Sequence, residues 1–376
     1  MTQLELDDIQ GYLLRGYAHM MYSRFVFLQV KEAAAVKNWL ARSWNSFTTA
    51  QHVPKDEKIC DNHLNIAFTN KGLLALGLKQ QNLDEFSVEF REGMVTPHRT
   101  RLLGDFGSSS PENWQWGGVD PTKHPAKHPV ELIHIALMVF GRDPKICLDY
   151  YEKLKCKFGA NGLEEVLTID GQTLPQNKEH FGFRDGISQP IIEGSGRKGP
   201  ENDYVKAGEF VFGYKNEYGV YPDTPLIASE QGELNLLAAD AEGSGRKDLG
   251  RNGTFMVMRQ LQQDVEKFWD FMNNNTRNDD GSINEKESIK LAAKMMGRWP
   301  SGAPLTKYPD QDPGTINDDN NFGYAKNDEE GLKCPFGSHI RRTNPRDSFE
   351  DNKIKLSLSL SNKHRIIRRA RFISRL

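Results

Sequence analysis

Cysteine is scarce in this sequence. Four occur in 376 residues, Cys60, Cys147, Cys156 and Cys334, far apart and with no Cys-x-x-Cys pair. That excludes a zinc-ribbon arrangement and a disulfide framework, and leaves reduced, mostly buried thiols. A surplus of one charge is also missing: 49 Lys+Arg face 51 Asp+Glu, a net charge of -2. No field remains to support a dedicated nucleic-acid binder. Long apolar runs are absent as well. Stretches such as Ile135-Ala136-Leu137-Met138-Val139-Phe140 fall far short of the ~20 residues that span a bilayer. The start, Met-Thr-Gln-Leu-Glu-Leu-Asp-Asp, has neither a basic opening nor an apolar stretch of leader length, which predicts a cytoplasmic protein.

What is present is the composition of an ordinary globular chain, 37% hydrophobic and 10% aromatic. At roughly 100 to 200 residues per domain, its length predicts two or three domains. Arg24 to Val30 is a compact apolar run fit for a buried strand, and Ala33 to Trp44 carries apolar residues at helical spacing. A weak echo follows late in the chain: Thr254 to Arg259 as a strand, then Val265, Phe268, Trp269 and Met272 on one helix face. Between them, His63 to Thr69, Glu131 to Phe140 and Glu164 to Thr168 read as strands and Pro144 to Lys157 as an amphipathic helix. The first half is therefore β-α-β-β-α-β, an α+β, ferredoxin-like order, and the echo suggests a second half on the same plan.

Glycine and proline gather from Gly171 to Pro200, which marks an irregular connector, and functional residues favour such loops. The organisation expected is an N-terminal domain over 1–170, a connecting loop over 171–205 and a C-terminal domain over 206–376. Polar stretches at 273–280 and 310–330 read as surface loops.

Three clusters could carry chemistry. In the first, His180-Phe-Gly-Phe-Arg-Asp-Gly-Ile-Ser-Gln-Pro190, glycines on both sides of Asp185 permit tight geometry and would aim its carboxylate into a cavity. The competing reading is that Asp185 caps a helix beginning near Gly186. In the second, Cys334-Pro-Phe-Gly-Ser-His-Ile-Arg-Arg-Thr-Asn-Pro-Arg346, His339 is a potential metal ligand, and Cys334 is conceivable as a thiolate ligand to haem iron. Arg341, Arg342 and Arg346 could neutralise carboxylates or phosphates, while a lone histidine is commonly structural. The third is Lys363 to Leu376, strongly basic and without an acid. It reads either as a solvated tail or as a segment entering a pocket, because Lys353 to Leu360 alternates like a strand before it.

Together these clusters resemble the dye-decolorising (DyP-type) haem peroxidases, nearly end to end. The Gly-x-x-Asp-Gly element is present as Gly182 to Gly186, and Asp8-Ile-Gln-Gly11, Arg101-Leu-Leu-Gly-Asp105, Gly208 to Tyr214, Leu249 to Thr254, Gly297 to Gly302 and the Cys-Pro-Phe-Gly-Ser-His run follow in order. The resemblance implies two ferredoxin-like domains and haem b as cofactor. It implies His339 as axial iron ligand, with Cys334 a packed neighbour, and Asp185 and Arg368 on the opposite face, with Gly186, Ser188 and Arg342 also in contact with the haem. Hydrogen peroxide would be the oxidant and dyes, phenols or other bulky molecules the donors, Asp185 moving the proton and Arg368 stabilising developing charge. Trp114, Trp116, Trp269, Trp299 and the tyrosines are available to relay electrons. Members of the family continue well past the distal arginine, whereas this sequence ends eight residues after Arg368. The second domain is thus expected to be incomplete, short by about a quarter to a third of a ~150-residue domain. A second copy or a completing chain would then fill it; otherwise the product is a catalytically impaired haem-binding or interaction protein.

Overall fold

The computed structural model describes residues 3–51, 60–119, 129–228, 236–314, 319–349 and 353–373. Its centre is a four-stranded antiparallel sheet of β1 (Tyr22–Val30), β2 (Asn62–Phe68), β3 (Ile135–Gly141) and β4 (Leu163–Gln172), in the order β2-β3-β1-β4. With helices α2 (Ala33–Ser43) and α3 (Pro144–Lys155) as its two crossovers, this is the ferredoxin-like plan expected of the first half, and the fold class is α+β.

Both faces of the sheet are buried, which is why β1 and β3 read as continuous apolar runs rather than alternating ones. In β1, Val26, Leu28 and Val30 turn toward the helices, where they meet Val36 and Trp39 of α2 and Cys147 and Tyr151 of α3. The intervening Phe25 and Phe27 turn the other way, onto Met138, Phe140 and Ile169. α3 starts where local chemistry dictates. Asp143 accepts a hydrogen bond from the Ile146 N–H at 2.8 Å, Pro144 takes the first turn, and Lys153 and Lys155 occupy the last.

The sheet edges are closed by pieces from elsewhere in the chain. On β2, the Gln10 side-chain amide pairs with both backbone groups of Ile66, each at 2.8 Å, and so acts as a short strand. On β4, Phe372 exchanges two backbone hydrogen bonds with Gln172, at 2.8 and 2.9 Å. An edge that would invite association is thereby paired within the chain.

His63, on β2, stacks on Tyr17 with ring centres 4.3 Å apart. Burial, with His19 and Arg15 adding to it, pushes its imidazole down to about 4 from the ordinary 6.5. Between those values the unfolded chain binds a proton that the folded one refuses. Stability is therefore expected to be complete above pH 6.5 and to fall as the pH drops toward 4, by about 1–2 kcal/mol from this group once solvent screening of its open side is included. Urea melts across that range check it: His63→Gln should flatten the slope, and an equal slope in the variant would refute the assignment.

The second half departs from the expected repeat. The helix of the echo forms, as α4 (Val265–Asn274), and packs on α5 (Glu285–Met296). Thr254 to Arg259 does not become a strand. The stretch from 254 to 263 takes no regular secondary structure, and none of its backbone N–H groups enters a ladder among the described residues, while Val257 and Leu261 are each 74% exposed. A segment becomes a strand only beside another, and the described residues bring none alongside. The pairs that do form here, Ile191–Ile192 with Tyr204–Val205 and Leu226–Ile227 with Lys247–Asp248, are two residues long.

The strand expected over Lys353 to Leu360 is instead a helix, α7 (Ile354–Asn362), preceded by the short α6 (His339–Thr343). Its Leu/Ser alternation mimics a pleat, but Ile354, Ser357, Leu358 and Ser361 also fall at helical spacing. Ser357 and Ser361 are buried, and Ser361 Oγ donates to the Arg346 carbonyl at 2.6 Å. Small side chains let this helix approach closely. No helix among the described residues is long and apolar enough to cross a membrane.

Candidate functional site

The loop carrying Asp185 is organised by Glu179, a residue the motifs did not single out. Its carboxylate accepts from the backbone N–H groups of Phe181 and Phe183, both at 2.8 Å, and from Gln263 at 2.6 Å. The Asp185 N–H donates to the Asn177 carbonyl at 2.8 Å. No helix begins near Gly186, so the capping reading of Asp185 fails; the tight turns are those glycine permits, with φ of +97° at Gly182 and +79° at Gly186. A Cβ at either glycine would meet no atom within 4 Å, so the loop faces open space at the motif. Among the described residues no partner holds the Asp185 carboxylate.

His339 opens α6, in a different part of the chain. It is exposed, and neither ring nitrogen bonds to a described protein group. Desolvation, and then the Arg368 guanidinium, hold its imidazole below the ordinary value, while Asp185 pulls the other way. His339, Arg368 and Asp185, from three separate segments, therefore share one electrostatic environment, in which His339 is neutral at pH 7 and able to donate a lone pair. Cys334 is sealed off: its Sγ lies 3.1 Å from Ser338 Oγ, and burial pushes the thiol up. That leaves it a packed neighbour rather than a thiolate.

Ser188 is a junction for arginines. Its carbonyl accepts from Arg365 and Arg368, both at 3.4 Å, and its hydroxyl lies 3.5 Å from Arg346 Nη2, while the Arg368 N–H donates to Gln189 Oε1 at 3.2 Å. The arginines of the second cluster part company. Arg341 is buried against Asp328 Oδ2 at 3.1 Å, Arg346 serves Asn320 and Phe322, and Arg342 is exposed on α6.

Nor is the basic C-terminal segment a solvated tail. Arg369 donates to the carbonyls of Tyr12 and Leu13 at 2.9 and 2.7 Å, which answers the free C-terminal end of the short helix α1 (Gly11–Leu14). Arg371 reaches Thr173 Oγ1 at 2.7 Å. Ser374 to Leu376 and part of the 310–330 loop lie outside the described residues. Of the four tryptophans weighed as relays, Trp299 is buried, and Trp114, Trp116 and Trp269 are half-buried. Sequence gave no sign that Trp44 and Tyr218 would be the open ones, at 73% and 65%.

Fold and site together define an α+β protein with a ferredoxin-like sheet and an open His–Asp–Arg constellation. Residues 8–175 match the family model described as the DyP dimeric alpha+beta barrel domain. The chain is 30% identical to a dye-decolorizing peroxidase of Exidia glandulosa over 92% of its own length and 63% of that protein's. It is likewise 30% identical to one from Mycena epipterygia, over 97% and 63%. Its fold resembles that of an ancestral D-type dye-decolorizing peroxidase, with a TM-score of 0.74 and 29% identity over 98% of this chain and 74% of the other. A dye-decolorizing peroxidase in complex with 2,6-dimethoxyphenol gives 0.70 and 28%, over 92% and 71%. The chain is thus similar to dye-decolorising peroxidases over most of its own length, carries their N-terminal domain at residues 8–175, and spans about 63% of the length of the curated relatives named here.

Proposed function

We propose that the chain carries the haem site of a peroxidase that reduces hydrogen peroxide and oxidises dyes, phenols or other bulky organic donors. One observation carries the reading: His339 lies within electrostatic reach of both the Arg368 guanidinium and the Asp185 carboxylate, although the three come from separate segments. The donor set suits haem b. His339 would hold the iron through its neutral imidazole, and the open face at Gly182 and Gly186 leaves space beside Asp185. Haem, when bound, supplies the iron at which peroxide is reduced.

The roles of the side chains follow from their chemistry. Asp185 takes the proton from the near oxygen of peroxide and returns it to the leaving oxygen. Arg368, steadied by Ser188 and Gln189, offers positive charge to the oxygen on which negative charge grows. Gly186 and Ser188 would border the cofactor, and Arg342, exposed on α6, would contact it from the solvent side. Support for phenolic donors comes from the relative whose structure is a complex with 2,6-dimethoxyphenol. We divide the chain as 1–170, 171–205 and 206–376, in keeping with a family match that ends at residue 175.

The unpaired stretch 254–263 favours a second reading, in which a second copy or a completing chain supplies a strand and the chain alone is an impaired haem-binding or interaction protein. One experiment addresses both: the absorption spectrum of the purified chain reconstituted with haem, before and after peroxide, with its mass in solution. A sharp Soret band that shifts with peroxide in the monomer is the expected result. A broad free-haem spectrum from the monomer, sharpened only in an oligomer, would support the second reading, and a broad spectrum in every state would sink both.

A further inference from the structure

On the far side of the sheet from the aromatic layer of Phe25, Phe27 and Phe140, α2 and α3 enclose a cleft of about 580 Å³, within the range of small-molecule sites. Its floor is apolar and aromatic: Trp39 of α2, Leu64 of β2, and Tyr150 and Leu154 of α3. Trp39 is only 8% exposed. Its indole N–H has no acceptor among the described residues and is not one of the fully buried unpartnered polar atoms, so it stays accessible to solvent.

The rim is cationic. Arg42, Lys153 and Lys157 line the cleft with no carboxylate among its described lining residues. Three other lysines nearby are paired, Lys31 with Glu164 at 3.0 Å, Lys145 with Asp149 at 2.5 Å and Lys155 with Glu165 at 3.1 Å, while Lys37 of α2 has no ion pair among the described residues. The three at the cleft have no such partner. Arg42 is held on the rim by the Asn38 carbonyl at 3.2 Å and Asn161 Oδ1 at 3.4 Å, so its fork does not need to be ordered on binding.

We infer that this cleft binds a small aromatic carboxylate. The ring lies on the Trp39 and Tyr150 floor, and the carboxylate oxygens accept from the cationic rim and the free indole N–H. A nucleic acid or a phosphate alone would leave the apolar floor unused, and a neutral ring would leave three cations unanswered.

The test is calorimetric titration of the full chain with 2-naphthoate at low ionic strength and pH 7.5, beside 2-naphthol as the uncharged analogue. Saturable one-to-one binding is expected for naphthoate, weakened about tenfold or more in Lys153→Glu/Lys157→Glu and in the uncharged analogue, and eroded by salt. Both lysines are exposed, so the double variant should fold, and its circular dichroism and thermal midpoint are read alongside. Trp39→Phe should weaken binding several-fold while keeping an aromatic floor. Equal affinity of the double variant, equal affinity for 2-naphthol, or no saturable binding would each overturn the inference.

Discussion

Asp185→Ala is expected to lower peroxidase kcat/KM for hydrogen peroxide by about a hundredfold to ten-thousandfold, the span of a lost general acid–base group, while the haem-reconstituted chain keeps its Soret band. The two readouts separate because Asp185 and His339 belong to different segments. The loop that presents Asp185 is held by Glu179, Asn177 and Gln263 rather than by the Asp185 side chain. Truncating the carboxylate therefore leaves both the loop and the imidazole in place. Asp185→Asn should lose nearly as much, since the amide keeps the shape and cannot take the proton. Stopped-flow measurement of the first reaction with peroxide decides the matter, and an unchanged rate would remove Asp185 from the mechanism.

The second large effect belongs to Arg346, which is 8% exposed. Its Nη1 donates to the carbonyls of Asn320 and Phe322 at 2.9 and 3.1 Å, and its Nη2 donates to Asn320 Oδ1 at 2.6 Å. Asn320 in turn donates to Asp203 at 3.0 and 3.1 Å, which brings a carboxylate into the network. Arg346→Leu leaves the buried Phe322 carbonyl without a donor and strips one donor each from the Asn320 carbonyl and Oδ1, which keep the Phe322 N–H and Arg298, both at 3.1 Å, at an expected cost of about 1–3 kcal/mol in urea unfolding. Arg346→Lys should recover little, because an ammonium cannot reproduce a planar fork that serves three acceptors. The neighbouring Ser188 hydroxyl makes the loss felt at the site, since Ser188 also accepts from Arg365 and Arg368. A destabilisation below about 1 kcal/mol, the level of an ordinary surface change, would show that the network is dispensable.

The first half was legible because its signals are local. Arg24 to Val30 is apolar on both faces, Asp143-Pro144 opens a helix, and the β-α-β-β-α-β order leaves few topologies. The same method misread two segments for one reason. Leu356, Leu358 and Leu360 alternate as a strand does, yet the surface available was one that Ser357 and Ser361 could approach as a helix. Thr254 to Arg259 has strand composition, yet pairing is supplied by other chain and not by composition. At the site, the motif glycines and His339 were visible from residue type and spacing. Glu179 was not, since a glutamate in a loop carries no mark of the two N–H groups it will accept. Whether the basic tail is solvated or enters a pocket stayed open in the sequence because its arginines' acceptors, the carbonyls of Tyr12 and Leu13 and the Thr173 hydroxyl, lie about 200 to 360 positions away.

By itself the sequence determined the ferredoxin-like order of the first half, the irregular connector with its glycine-flanked Asp185, and the family resemblance. Each is written in residue type and short-range period, which act over a turn or a pleat. Tertiary structure alone decided whether residues 354–362 coil or extend, which arginines are buried, that Asp185, His339 and Arg368 share one environment, and that an unbalanced cationic cleft lies behind the sheet. These outcomes depend on where distant hydrogen-bond partners and buried surface come to rest, and no local window of sequence contains that information.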